Sequence, residues 1–269
     1  MRAIKRILII LLVLLAAGHI VTAILQGSAD RQEAPVISCP EGVLEVSASD
    51  PESALLQGVT ASDAQDGDLT GRILIGGVSK LISNDTAKVT LLVFDSDDNM
   101  GKATRYIRYT DYHRPTFSVN APLIYSTTET VSILERVSAT DVVDGDLSKA
   151  IRVSTLDASS NSQRFGVTIQ VTNSLGDTAW LKLPVLLLDE DPLRPTISLS
   201  HYLVYLETDS EFDPNSLLDA VKDPSGTADP DQVVIESNVD TSAAGTYEVV
   251  YSYTSNDRVG TAIATVVVQ

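Results

Sequence analysis

The sequence predicts an all-β protein, with three tandem antiparallel β-sandwiches following one N-terminal transmembrane helix. A proline followed by a short β-type run recurs at Pro35, Pro115 and Pro195, a spacing of 80 residues each time. Within each of the three units, apolar residues alternate with a period of two, which is typical of strands that bury one face. Short strands separated by frequent turns favour sandwiches over a parallel sheet with crossover helices.

The N-terminus carries an apolar segment long enough to cross a bilayer. Arg2, Lys5 and Arg6 precede an uncharged run from Ile7 to Leu25, and a membrane helix needs about 20 apolar residues. A signal anchor would keep this run in the membrane as a single pass, with the N-terminus in the cytoplasm and the rest outside. A cleaved signal peptide would instead release the body as a secreted protein. The length of the run favours the anchor, and both alternatives export the body.

The repeat divides the chain into four predicted segments. These are an anchor or signal peptide with a spacer at 1–34, and sandwich domains at 35–112, 113–192 and 193–269. Each domain ends in two strands joined by a polar turn, which predicts a terminal hairpin. No stretch after Gln26 keeps a helical period, and SLLDAVKD in the third domain is predicted as at most one or two helical turns.

The inward faces of these hairpins follow from the same alternation. The pattern places one apolar set inward in each unit: Val89, Leu91 and Val93 in the first, Phe165, Val167, Ile169 and Val171 in the second, and Tyr247, Val249, Tyr251 and Tyr253 in the third. Trp180 lies in a strand among alternating apolar residues, which favours a place in the core, whereas an exposed Trp180 would indicate a binding surface.

Two phrases carry a resemblance to a known family. The two are GVTASDAQDGDLTGRI and, at 239–268, VDTSAAGTYEVVYSYTSNDRVGTAIATVVV. Both resemble the bacterial Ig-like repeat of Gram-positive surface proteins, a domain type also found in some insecticidal crystal toxins. The resemblance covers 35–269. The third unit departs from it with DPSGTADPDQV in place of the DGDL phrase, and the first two units lack a clean VDTS-GTY. The resemblance implies Ig-like sandwiches in an exported bacterial protein, and little chemistry.

The acidic phrase occurs twice, and three hypotheses fit it. Its carboxylates are Asp63, Asp66 and Asp68 in the first unit, and Asp141, Asp144 and Asp146 in the second. Asp-Gly-Asp forms turns readily, because glycine accepts a positive φ and an Asp carboxylate accepts backbone N–H groups. Three carboxylates within six residues also suit Ca²⁺, although the spacing is not that of an EF-hand. A catalytic pair would need an aromatic-lined cleft, which this Trp-poor chain does not indicate.

Composition argues against several function classes. The net charge of −17, from 19 Lys and Arg against 36 Asp and Glu, disfavours nucleic-acid binding, which relies on cations that neutralise phosphates. The histidines His19, His113 and His201 lack metal-type spacing, and the lone Cys39 cannot form an internal disulfide. Motifs of nucleophilic or nucleotide-dependent enzymes are absent from the sequence. We therefore predict a protein that is not an enzyme, with calcium as the only cofactor left open.

The predicted function is a non-catalytic cell-surface protein, tethered through residues 7–25, that displays or spaces an interaction surface. The first partner class is an extracellular or envelope protein, bound in adhesion or assembly through sheet edges or loop tips. The alternative is carbohydrate, from wall polymers or external glycans, which would need exposed aromatic rings; Tyr125, Tyr202 and Tyr205 are the candidates to check. Divergence of the third unit suggests that recognition lies there, although drift explains it equally well.

Overall fold

A computed structural model describes residues 14–22, 33–157 and 163–269 of the chain. The chain divides into two compact units, Met1–Tyr112 (unit 1) and His113–Gln269 (unit 2). Residues 14–22 are helical, and among the described residues no helix is long and apolar enough to cross a membrane. The rest of the predicted membrane segment, at 7–13 and 23–25, lies outside the described residues. Everything that is described after it is β-strand, 3-10 turn or loop.

Unit 1 contains one β-sandwich. Its strands are β1 (Val36–Ser38), β2 (Val43–Val46), β3 (Thr60–Asp63), β4 (Gly67–Asp68), β5 (Leu74–Val78), β6 (Thr86–Phe94) and β7 (Met100–Tyr109). They form a three-stranded sheet in the order β1-β3-β4 and a four-stranded sheet in the order β2-β7-β6-β5. Among the described residues of this unit, β2 and β7 are the one parallel pair, and 3-10 turns occupy Glu52–Leu56 and Thr70–Arg72.

Unit 2 repeats this layout twice. Its first sandwich has β8 (Thr116–Val119), β9 (Ile124–Ser126), β10 (Val137–Asp141), β11 (Gly145–Asp146), β12 (Arg152–Asp157), β13 (Arg164–Thr172) and β14 (Thr178–Leu188). Its second has β15 (Thr196–Leu199), β16 (Leu203–Leu206), β17 (Leu218–Asp223), β18 (Gly226–Thr227), β19 (Val234–Ser237), β20 (Gly245–Ser255) and β21 (Arg258–Val268). The sheet orders are β11-β10-β8 with β12-β13-β14-β9, and β15-β17-β18 with β16-β21-β20-β19. The strand arrangement is Ig-like in all three sandwiches.

The 3-10 turns of unit 2 lie at Ile133–Glu135, Ser148–Ala150, Pro214–Leu217 and Pro230–Gln232. The segment SLLDAVKD, predicted as at most one or two helical turns, is mostly strand: only its first residues belong to a 3-10 turn, and β17 takes up the rest. This agrees with the predicted upper limit, and the strand in the rest of the segment was not predicted because a short apolar run does not distinguish strand from helix by periodicity alone.

The period-two pattern correctly located the cores. Val89, Leu91 and Val93 are fully buried in unit 1, as are Val167 and Ile169 in unit 2. In the third sandwich Val249, Tyr251 and Tyr253 are buried, and Tyr247 packs against the same cluster. The predicted terminal hairpins are the pairs β6-β7, β13-β14 and β20-β21. Because alternate residues of a strand point to opposite faces, the polar residues between these apolar ones form the outer face of each four-stranded sheet.

Two of the three opening prolines, Pro35 and Pro195, lie against a glycine of the terminal hairpin. A Cβ atom on Gly101 would overlap the carbonyl oxygen of Pro35, and one on Gly260 would overlap that of Pro195. Glycine allows this approach because it has no side chain. The first strand of these two sandwiches therefore begins against the last hairpin.

The two sandwiches of unit 2 are packed against each other. Leu203 of the later sandwich belongs to the core cluster of the earlier one, and Tyr205 and Val267 pack against that cluster. The Phe117 N–H donates to the Tyr205 hydroxyl at 2.9 Å. Arg258 Nε binds Asp191 at 2.8 Å across the joint. The predicted domains 113–192 and 193–269 therefore share buried surface within one compact unit.

Candidate functional site

The six aspartates of the repeated phrase build two equivalent turns. Asp63 Oδ1 accepts the N–H groups of Gln65 and Asp66, at 2.8 and 3.0 Å. Asp141 Oδ1 accepts those of Val143 and Asp144, at 2.9 and 3.0 Å. The glycine inside each phrase adopts a positive φ, 73° at Gly67 and 71° at Gly145. These are the contacts expected of a side-chain-stabilised turn.

The middle aspartate of each phrase connects its turn to the terminal hairpin. Asp66 accepts hydrogen bonds from the N–H and hydroxyl of Ser96, at 2.5 and 2.8 Å. Asp144 binds Ser174 in the same way, at 2.5 and 2.6 Å. In unit 2, Asn173 Nδ2 also donates to Asp141 Oδ2 at 3.1 Å, and both residues are 5% exposed. The phrase thus links the two sheets of its own sandwich.

The last aspartate of each phrase accepts a hydrogen bond from the first residue of the 3-10 turn that follows. Asp68 Oδ1 accepts the Thr70 N–H at 2.9 Å, and Asp146 Oδ1 accepts the Ser148 N–H at 2.9 Å. The side-chain and backbone hydrogen bonds of Thr70 lower the pKa of the Asp68 carboxyl, and those of Ser148 lower the pKa of Asp146. All six aspartates therefore accept hydrogen bonds within their own sandwich.

The third sandwich contains the same turn, which sequence reasoning missed. Asp223 pairs with Gly226 across the β17-β18 bridge, as Asp63 does with Gly67. Asp223 Oδ1 accepts the Ser225 N–H at 2.8 Å, and Ser255 of the terminal hairpin donates to its Oδ2 at 3.1 Å. The Ser225 hydroxyl and N–H lower the pKa of Asp223. The signal in the sequence was Asp223 followed by Gly226 in DPSGTAD, in which the turn is one residue shorter.

Calcium at the acidic phrase stays a prediction. Within residues 14–22, 33–157 and 163–269, no group of three or more His, Cys, Asp or Glu side chains is arranged so that it could hold a metal ion.

Trp180 is on the surface, so its predicted place in the core is wrong. Its side chain is 61% exposed, whereas Leu181, Leu183 and Val185 of the same strand are buried. Since a strand alternates its faces, a register shifted by one residue exchanges inside and outside. β14 has apolar residues on both faces, and the prediction chose the wrong one. The indole Nε1 donates to Gln170 Oε1 at 3.0 Å, which fixes the ring over the outer face of the sheet.

The surroundings of Trp180 are polar and cationic. We define the Trp180 face by six residues on the outer side of β12 to β14, namely Arg152, Arg164, Thr168, Gln170, Trp180 and Lys182. Residues directly opposite one another share a face, and the register pairs Arg152 with Gln170, Gln170 with Trp180, and Thr168 with Lys182. No Asp or Glu occurs in β13 or β14, whereas β12 ends in Asp157, which the register places opposite Gly166.

The Trp180 face ends in an open cleft between the two sandwiches of unit 2. The cleft has a volume of about 390 Å³ and is lined by Arg164, Phe165, Gly166, Lys182, Leu183, Pro184 and Glu248. Arg164 and Glu248 form an ion pair across it. Gly166 lies opposite Pro184 in the register, and because glycine has no side chain it leaves a depression beside Lys182.

The three tyrosines that were candidates for exposed sugar-binding rings do not form a surface cluster. Tyr125 is 3% exposed in the core, with the Arg136 guanidinium 4.1 Å from its ring centre. Tyr202 is half-buried, and its hydroxyl accepts the Leu199 N–H at 3.4 Å. Burial raises the pKa of Tyr205, which binds Phe117 at the sandwich joint.

Comparisons with known proteins give only distant likeness. No family model and no curated protein matches the chain. One solved structure, CBM51-2 in complex with GlcNAc and INT domains from Clostridium perfringens ZmpB, is 17% identical with a TM-score of 0.24, and the match covers 51% of this chain and 29% of that chain. Drosophila N-cadherin EC1-4 is 13% identical with a TM-score of 0.23, covering 89% and 76%. The protocadherin GammaB4 extracellular domain is 14% identical with a TM-score of 0.21, covering 88% and 50%. TM-scores this low support no inference about function.

Proposed function

We propose that this chain is a non-catalytic bacterial surface protein, tethered to the cell membrane through residues 7–25, that displays a binding surface outside the cell. The basic residues before the apolar run and the run's length support the tether. Each sandwich is built from hydrogen-bonded sheets on a buried core, and rigid sheets present recognition side chains with little loss of entropy on binding.

The exposed Trp180 is the observation that carries this proposal. A tryptophan has a large apolar ring, and leaving 61% of it in water gives up burial energy that its neighbours in β14 gain. Tryptophan is enriched at binding sites because one ring offers both an apolar face and an N–H group. At the equivalent position of the other sandwiches the residue is Lys102 or Thr261, which directly follows Gly101 or Gly260 as Trp180 follows Ala179.

Of the two partner classes, the Trp180 face supports a glycan better than a protein. A sugar ring presents an apolar C–H face to an aromatic ring and hydroxyl groups at its edge, which amide, hydroxyl and cationic side chains bind. Gln170, Thr168, Arg152 and Lys182 surround Trp180 with such groups. A protein interface usually requires about 800 Å² per partner with an apolar centre, and here the ring stands among polar residues.

A protein partner is the second candidate, favoured by a different surface. The outer face of the unit 1 sheet exposes Leu74, Phe94 and Met100 to 56%, 39% and 48%. Phe94 and Met100 are opposite each other, and Leu74 is opposite Leu92. A photo-crosslinking residue at Met100 on intact cells, compared with one at Lys88 of the same face, would test this surface. A protein adduct confined to position 100 supports the candidate, and equal yields at both positions contradict it.

Surface display is tested on cells that express the full chain. We expect proteinase K added to intact cells to remove the sandwiches, while residues at the N-terminus stay with the membrane. Resistance of the sandwiches in intact cells would contradict surface display. Release of a shortened chain into the medium would contradict the tether and support a cleaved signal peptide.

The binding role is tested by co-sedimentation of the full chain, in mild detergent, with purified insoluble cell wall stripped of protein. We expect the wild type and Lys102→Ala, a change at the equivalent sheet position of unit 1, to sediment equally. Trp180→Ala is expected to lose most of the bound fraction. Equal sedimentation of Trp180→Ala and the wild type would refute the proposed role of this face.

A further inference from the structure

We infer that the ligand of the Trp180 face is a neutral glycan with N-acetyl groups, in which an acetamido carbonyl oxygen binds the amide nitrogen of Gln170 while the sugar ring lies on Trp180. This inference rests on the proposed function. It starts from the hydrogen bond that orients the indole, which runs from Trp180 Nε1 to Gln170 Oε1 at 3.0 Å. Because an indole N–H group can only donate, the amide oxygen of Gln170 faces the ring, and the amide nitrogen lies on the other side of the group.

The polar groups left open beside the indole are hydrogen-bond donors. Within the described part of the chain, the structure gives the Nε2 group of Gln170 no partner. Arg152 is opposite Gln170 in the register and uses its Nη1 on the carbonyl oxygens of Lys149 and Ile151, at 3.2 and 3.0 Å. A guanidinium group also has donors only. The ligand atom that meets this row is therefore an acceptor, and a carbonyl oxygen fits better than a hydroxyl group, which has a proton of its own to donate.

The charges on the face favour a neutral acceptor. Arg164 is paired with Glu248, and Lys182 has an interaction of its own. The register also places Asp157 of β12 opposite Gly166. With a net charge of −17, the chain as a whole repels anions. A neutral carbonyl oxygen satisfies the open donors without adding a negative charge to this surface.

An acetamido group supplies such an oxygen beside an apolar contact for the indole. Adjacent strands lie about 4.8 Å apart, so Arg152, Gln170 and Trp180 form a row of about 10 Å across three strands. A pyranose ring stacked on the indole by its C–H face extends its substituents over the neighbouring strand. There the acetamido methyl group contacts the edge of the indole and the carbonyl oxygen accepts from Gln170. Arg152 then donates to an oxygen of the next sugar, so the row fits a disaccharide that lies across the strands.

The test is calorimetric titration of the full chain, in a detergent without a sugar headgroup, with two neutral hexasaccharides of the same backbone linkage. Chitohexaose carries an acetamido group on each sugar, and cellohexaose carries a hydroxyl group in its place. We expect chitohexaose to bind about fivefold to tenfold more tightly, because cellohexaose leaves the Gln170 donor without its acceptor. Since the ligand is neutral, its affinity should be the same at about 50 and about 500 mM salt.

Gln170→Glu tests the amide nitrogen directly. The glutamate keeps an oxygen for the Trp180 N–H group and replaces the open donor with an acceptor. We expect the affinity for chitohexaose to fall about tenfold or more, and its preference over cellohexaose to disappear. Gln57→Glu, which adds the same charge at an exposed position of unit 1, is expected to leave both unchanged. Binding of chitohexaose to Gln170→Glu with wild-type affinity would refute the contact with Gln170.

The emission of Trp180 locates the binding, because it is the only tryptophan in the chain. We expect a blue shift on addition of chitohexaose, and loss of binding by calorimetry in Trp180→Ala. Calorimetric binding without a change in emission would place the ligand elsewhere and overturn the inference.

Three other outcomes separate failure of the inference from failure of the proposed function. If cellohexaose binds as tightly as chitohexaose, or more tightly, and shifts Trp180 emission, the acetamido contact is refuted while glycan binding stands. If neither hexasaccharide binds and the wild type still sediments with cell wall in a Trp180-dependent manner, the N-acetyl class is refuted and the binding role survives. If neither assay shows binding, both fail.

Discussion

Replacing Asn173 with aspartate should destabilise its sandwich strongly at neutral pH. Asn173 Nδ2 donates to Asp141 Oδ2 at 3.1 Å, and both side chains are 5% exposed. Asn173→Asp puts a second carboxylate at the same place. Two like charges about 4 Å apart repel by about 4 kcal/mol at an effective dielectric constant of about 20, and the hydrogen bond to a charged acceptor is lost as well.

Proton uptake limits the size of this effect. Holding one carboxyl protonated at pH 7, against an ordinary pKa of about 3.9, costs about 1.36 kcal/mol per pH unit, or about 4 kcal/mol. We therefore expect Asn173→Asp to lower the free energy of unfolding by about 3 to 4 kcal/mol at pH 7. The pair's raised pKa implies that this deficit is present above about pH 4 and shrinks as the pH falls towards that value.

Urea unfolding of the full chain measures the deficit at pH 7 and at pH 4, followed by far-UV circular dichroism and by Trp180 emission. Trp180 lies in the same hairpin as Asn173, so its signal reports on that sandwich. Asn256→Asp is the matched control, because Asn256 occupies an exposed hairpin turn with a φ of 50°, and we expect it to change stability by less than about 0.5 kcal/mol. A deficit that is the same at both pH values, or absent at pH 7, would refute charge repulsion between the two carboxylates.

Four further predictions follow from the same contacts. Gly260→Ala should cost about 2 to 4 kcal/mol in urea unfolding, because its Cβ would overlap Pro195, whereas Ala179→Gly at the equivalent position should cost about 1 kcal/mol or less. Burial raises the pKa of Tyr251 to about 12, so the neutral phenol is favoured in the fold: its absorbance should titrate late, and stability should fall as the pH rises above about 10. The lowered pKa values of Asp68, Asp146 and Asp223 stabilise the fold above the unfolded pKa of about 3.9, so circular dichroism should show stability falling below about pH 4. If the acidic phrases are only turns, calorimetry with Ca²⁺ should show no saturable site, and Asn at positions 66, 68, 144 and 146 should lower stability; two saturable sites lost in that variant would establish calcium binding instead.

The fold was predictable from the sequence where one local pattern determined the structure of a segment. Alternation in RFGVTIQVTN and GTYEVVYSYTS predicted both the strands and their inward faces, because the outward positions are polar apart from Gly166 and Val250. The turn formed by Asp66 and Gly67 was predictable for the same reason, since its side-chain hydrogen bonds are local. The parallel pairing of β2 with β7 was not predictable, because it depends on residues more than 50 positions apart.

The errors arose where local patterns were ambiguous. In AWLKLPVLLL, apolar residues occupy both faces, so the phase of the alternation was undetermined and Trp180 was placed inside. In the third sandwich, one residue fewer between Asp223 and Gly226 concealed a turn that has the same β-bridge as the other two. The sequence prediction compared the number of residues between the aspartate and the glycine. The fold instead keeps the hydrogen bonds of the turn, which tolerate a change in that number.

Comparing equivalent positions in the three sandwiches distinguishes residues that the fold requires from residues that belong to a candidate binding site. A structural feature that folding requires should recur in every copy of the fold. The aspartate turn recurs at Asp63, Asp141 and Asp223, and each of these carboxylates accepts a backbone N–H group. A recognition residue needs no counterpart, because one site suffices. On the outer sheet face, one row reads Leu74, Leu92 and Lys102 in the first sandwich, Arg152, Gln170 and Trp180 in the second, and Val234, Ser252 and Thr261 in the third. Because the residues of this row differ among three sandwiches of the same fold, the fold does not require particular side chains there. These positions can therefore carry residues that bind a partner. The hydrogen bonds of the aspartate turn therefore belong to the scaffold, and we look for binding first at the single tryptophan.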